Sequence, residues 1–71
     1  MNQISLIAIF CCLAFCAIAQ DFQSLLNEGI ELHDAGKYQE AINKYKKALA
    51  IDPASALVYY EMAYSYHQLK D

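Results

Sequence analysis

Between Gly36 and Pro53, Tyr38, Ala41, Ile42, Tyr45, Ala48 and Leu49 recur at steps of three and four. That spacing puts them on one face of an α-helix. Gln39, Asn43, Lys46 and Lys47 fall on the opposite, polar face. The same pattern predicts a helix on either side. The first runs from about Phe22 to Ala35, with Leu25, Leu26, Ile30 and Leu32 as its apolar positions. Asp21 or Ser24 is available to cap its start, and Gly36 suits the left-handed conformation that ends a helix. The third starts at Asp52-Pro53, where Asp can cap and Pro fits the first turn. It continues through Ala56, Leu57, Tyr60, Tyr64 and Leu69. Connections this short make neighbouring helices antiparallel. No strand-like alternation of useful length appears, so the chain is all-α, with about three helices after residue 19.

The stretch before Asp21 has a different character. Ile4 to Ala19 holds fifteen apolar residues and one serine, and every charged side chain lies at or after Asp21. An apolar core from Ile4 to about Phe15 is followed by Ala17-Ile18-Ala19, small residues at the −3 and −1 positions of a cleavage site. Residues 1–19 therefore read as a secretory signal peptide, cut after Ala19 to leave Gln20 first. Asn2 and Gln3 depart from the usual pattern, since neither is basic. Two rival readings rank behind cleavage. Leu13-Ala14-Phe15-Cys16 has the outline of a lipoprotein signal, but Phe15 is bulky where a small residue is usual. An uncleaved anchor ranks third, because the run is slightly shorter than the roughly 17–25 residues of a spanning helix.

Cleavage at Ala19 would remove Cys11, Cys12 and Cys16, the only cysteines, and the remainder would hold together without disulfides. The remaining charge is eight acidic residues against five lysines, a net of −3. That argues against a nucleic-acid partner, which calls for a basic face. Glu40 precedes Lys44 by four residues, the favourable order for an ion pair along one helix.

A shift of 34 residues places Leu25 on Tyr59, Leu26 on Tyr60, Gly29 on Ala63, Ile30 on Tyr64, Leu32 on Tyr66 and His33 on His67. Large falls on large and small on small, so the repeat is one of character rather than of letters. On these residues the chain resembles the tetratricopeptide repeat (TPR) family. Its signature positions read Leu25, Gly29, Leu32, Gly36, Tyr38, Ala41, Tyr45, Ala48 and Pro53, and GKYQEAINKYKKALAIDP is close to the family's second helix and its exit. The resemblance implies a first repeat over 22–55 and the first helix of a second over 56–71, an antiparallel helix-turn-helix fragment of an α-solenoid. Gly29, Ala41, Ala48 and Ala63 are small where helices must approach closely. Glu28 stands where the family usually has an apolar residue, and a solvated edge of the first repeat is expected there.

In such arrays the first helices of successive repeats line a concave groove. The resemblance places Leu26, Ile30 and His33 of the first repeat in it, flanked by Gln23 and Asp34. Leu57, Tyr60, Tyr64 and His67 of the second follow, flanked by Gln68. Tyr60 and Tyr64 are assigned to the groove, and Tyr59 and Tyr66 to the core. The plainer reading of an aromatic stripe at helical spacing is that it packs as core. One TPR subclass grips chaperone tails through Lys and Asn, but the matching positions here are Leu26, Ile30 and Glu61, so that activity is not carried over.

His33 and His67 do not make a metal site, because no third ligand accompanies them. No phosphate loop, zinc-protease motif or Ser-His-acid set appears, so neither catalytic residues nor a cofactor are expected. The implied function is an exported protein-interaction scaffold, periplasmic, envelope-bound or secreted, that binds a protein or peptide. Membrane association is expected only if the first segment is retained or Cys16 is lipidated. The alternatives are a membrane-tethered assembly subunit, or the N-terminal accessory part of a longer, enzymatic, exported protein. One and a half repeats bury little surface, so either further chain after Asp71 or self-association is expected to complete the core.

Overall fold

The computed structural model describes the backbone of residues 2–70 and the side chains of residues 18–70. It contains three helices: α1 (Asn2–Asp34), α2 (Tyr38–Ile51) and α3 (Ala56–Lys70). They form antiparallel helix-turn-helix pairs, with α2 packed against both neighbours and α1 touching α3 only lightly. No strand occurs among the described residues. Nor, among them, is any helix long and apolar enough to cross a membrane. The three cysteines and the apolar run from Ile4 to Phe15, on which the signal-peptide reading rests, lie outside the described side chains.

The start of α1 differs from expectation. Neither Asp21 nor Ser24 caps it, because the helix is continuous from Asn2. No glycine or proline precedes Gly29, so nothing in the sequence interrupts the backbone hydrogen-bond ladder. Its end is as expected. Gly36 adopts a left-handed φ of 80°. Gly36 N–H donates to the His33 carbonyl at 3.0 Å and Lys37 N–H to the Leu32 carbonyl at 2.8 Å. This is the paired closure of a Schellman turn, and it reverses the chain into α2.

The second turn also corrects the sequence reading, since α3 begins after Ser55 rather than at Asp52-Pro53. Asp52 Oδ1 accepts a bond from Ala54 N–H at 3.2 Å, and the Asp52 carbonyl accepts one from Ser55 N–H at 3.3 Å. Asp52 and Pro53 thus build a turn. Ser55 caps the helix, with Oγ accepting from Val58 N–H at 3.3 Å.

The core is Leu26 from α1, Ala41, Tyr45 and Ala48 from α2, and Val58 from α3, with Ile42 also fully buried. Phe22, Leu25, Ile30, Leu32, Leu49 and Met62 pack around it. α1 and α2 approach closely at Gly29. A Cβ there would overlap the Tyr45 ring, 2.7 Å from Cδ1 and 3.0 Å from Cζ. Ala41 and Ala48 are buried as expected of small contact residues, but Ala63 is exposed.

Tyr59 and Tyr66 are not core, being 49% and 42% exposed. α3 turns Val58 and Ser65 towards α2, and among the described residues nothing covers the side that carries these two tyrosines. Lys44 pairs with Glu28 of α1 at 2.9 Å, not with Glu40. Glu28 is therefore tied to α2 rather than simply solvated. Both partners are partly exposed, so the pair contributes at most about 1 kcal/mol.

The two glycines should fail for different reasons. Gly29→Ala gains up to about 1 kcal/mol of helix propensity but overpacks a fixed ring at about 1–3 kcal/mol, so urea unfolding should show a net loss. Gly36→Ala meets no neighbour within 4 Å and should lose about 1–2 kcal/mol through its backbone alone. A Gly29→Ala chain more stable than the parent would contradict the packing.

Candidate functional site

Helical spacing gives α3 three distinct sides. Val58, Met62 and Ser65 face α2. Tyr59, Ala63 and Tyr66 share one flank, and Leu57, Tyr60, Tyr64 and His67 share the other. The latter set is open to solvent: Leu57 is 54%, Tyr60 68% and Tyr64 48% exposed. His67 is exposed beside them.

From α1 the structure brings His33 to this strip. Its ring lies 4.7 Å from that of Tyr64, tilted by 33°, and 4.9 Å from that of Tyr38, edge to face at 66°. Ile30 is half-buried one turn earlier. Leu26 does not join the strip. It is only 3% exposed, because it shares the face of α1 that carries Gly29 against α2 and packs within the Tyr45–Ala48 cluster. Of the seven expected groove residues, His33 and Tyr64 are in direct ring contact.

Beneath the strip lies a small polar interior. Ser65 is fully buried on α3, and its Oγ sits 2.8 Å from His33 Nδ1, linking the first and third helices. The Tyr45 side chain from α2 is also fully buried. Its hydroxyl lies close enough to Ser65 to be influenced by it, yet it has no partner at hydrogen-bonding geometry. Burial pushes the Tyr45 hydroxyl above its usual pKa, and the Glu61 carboxylate adds to the rise. Ser65 opposes that shift and Asp34 adds a smaller push.

Sequence reasoning missed Ser65. The register Val58, Met62, Ser65, Leu69 would have marked a serine on the helix's inner side, and a buried hydroxyl needs a partner. An open recess of about 440 Å³ lies away from the strip, lined by Ile18, Ala19, Phe22 and Gln23 of α1 with Ile51 and Asp52. Among the described residues no group of three or more His, Cys, Asp or Glu side chains is arranged to hold a metal ion.

The family model of the TPR repeat matches residues 29–70, more than half the chain. The chain belongs to the TPR family. No similar curated protein and no similar solved structure was found. The TPR match covers the close Gly29 approach, the Gly36 turn, all of α2 and all of α3. As a TPR repeat, it is a protein-interaction module.

The polar interior yields two opposed substitutions. Tyr45→Phe removes an unpartnered buried hydroxyl and should leave stability unchanged or raise it by about 1 kcal/mol. Ser65→Ala strips His33 of its partner and should cost about 1 kcal/mol. The raised Tyr45 pKa also has a pH signature. Because the unfolded chain gives up this proton first, the stabilisation is complete below about pH 10 and declines as pH rises above it. Urea titrations at alkaline pH should show that decline weakened in Tyr45→Phe.

Proposed function

We propose that the protein is an exported, non-catalytic scaffold that binds a protein or peptide segment along Ile30, His33, Leu57, Tyr60, Tyr64 and His67. The observation that carries the reading is the exposed aromatic strip of α3, set against His33. Leu57, Tyr60 and Tyr64 each leave about half or more of their surface open, although the helix has a buried side of its own. Tyrosine suits such a surface because it offers large apolar area with a polar tip and little side-chain entropy to lose. The Ser65 bond and the two ring contacts hold His33 in place, so part of the surface is preorganised. The preferred ligand is a segment with apolar side chains that fit between the rings and polar groups that meet the tyrosine hydroxyls.

Export is supported by the apolar run from Ile4, the Ala17-Ile18-Ala19 cleavage pattern and the confinement of charge to residues after it. In this reading the lysine-bearing outer face of α2 is a solvated surface.

Peptides selected from a random library against the folded chain should perturb the NMR signals of residues 57–67 and of His33. Leu57→Ser with Tyr60→Ser should weaken that binding at least about ten-fold, roughly 1.4 kcal/mol, without lowering the melting temperature. Unchanged affinity, or perturbation confined to the outer face of α2, would refute the site. Export has its own readout. Fractionation of native cells should recover the protein outside the cytoplasm, and recovery in the cytosol alone would refute that part.

A further inference from the structure

We propose that Gln20 is a modification site: once exposed as the N-terminus by cleavage after Ala19, it cyclises to pyroglutamate. The inference rests on the export reading above. Ala17 and Ala19 direct the cut to the Ala19–Gln20 bond, and glutamine is a residue whose side-chain amide lies within five-membered-ring reach of its own α-amine. The free amine attacks the side-chain carbonyl carbon, and a carbon–nitrogen bond forms to close a lactam. The bond from that carbon to the side-chain nitrogen breaks, and ammonia leaves with the proton the amine gives up. No oxidant, reductant or second substrate is consumed.

The structure leaves this step unobstructed. Ala19, Gln20 and Asp21 are all exposed, and Ile18 is 54% exposed. Phe22 is the first residue of the shortened chain to pack against the core. Only Gln20 and Asp21 precede it, so closing a ring at Gln20 disturbs no packed side chain. Before cleavage the Gln20 nitrogen is an amide inside the continuous helix α1 and cannot attack.

Electrostatics favours the product. A helix that begins at Gln20 carries a positive charge on its terminal amine, beside unpaired N–H groups and the positive end of the helix dipole. Cyclisation removes that charge and leaves Asp21 as the only charged group in the first turn, with the sign that suits the position. The ring also blocks the chain to aminopeptidases at the residue next to Asp21.

The test is the mass and amine reactivity of the N-terminal peptide of the protein from its native cells, compared with a Gln20→Ser chain expressed in the same cells. The expected parent N-terminal peptide begins at Gln20 and is lighter by one ammonia, and its N-terminus resists amine labelling until treated with pyroglutamyl aminopeptidase. The Gln20→Ser chain should show an N-terminal peptide that begins at the substituted position 20, with its full mass and a labelled amine. A parent N-terminal peptide that begins at Gln20 with its full mass and a labelled amine would confirm the cut and overturn the cyclisation. A chain that retains residues 1–19, or is cut elsewhere, would overturn the export reading and this inference with it.

Discussion

The fold depends on the contact between Gly29 and the ring of Tyr45. The ring occupies the space that a methyl group on α1 would need. That lets the two helices approach to backbone-to-ring distance and buries Tyr45 completely. Ala41 and Ala48, on the same side of α2, keep the rest of the seam narrow, and Leu26 closes it from α1. With so few core residues among those described, one misplaced ring would reopen most of that interior. The Gly36 turn serves the same contact, because it returns the chain at the angle that brings Tyr45 over Gly29.

The second constraint is polar. His33 and Ser65 join helices that otherwise touch lightly, and a hydrogen bond is directional where apolar packing is not. It therefore fixes the rotation of α3 about its own axis. With Ser65 turned inward, Leu57, Tyr60 and Tyr64 must point outward together. A buried hydroxyl thus helps decide which residues the surface offers, although it contacts no ligand.

The helices and their turns were largely legible in the sequence. The steps of three and four from Tyr38 to Leu49 follow directly from burying one face of a helix, and Gly36 was recognisable from its place after an amphipathic run. The start of α1 was not legible. Composition changes at Asp21, but helix continuity answers only to backbone compatibility, and nothing there breaks it. Asp52-Pro53 reads as a helix start in the sequence and builds a turn in the structure, because capping and turn-forming residues are the same residue types. The site was harder still. Leu26 and Ile30 look alike by letter and differ by four positions, yet one lies under α2 and the other at its margin. Tyr59 and Tyr66 were assigned to the core by analogy with a longer array. Burial requires a covering element, and the described residues provide none on that side.

Among the described residues α3 is covered on a single side, where Val58 and Ser65 are its fully buried residues, and it also carries most of the exposed aromatic strip. A helix held from one side opens more readily than one held from two. Any partner that settles on Leu57, Tyr60 and Tyr64 would supply a second wall and draw the folding equilibrium towards the closed form in proportion to its occupancy. Recognition and folding would then be one thermodynamic event, with the partner acting as part of the core that the described residues leave open.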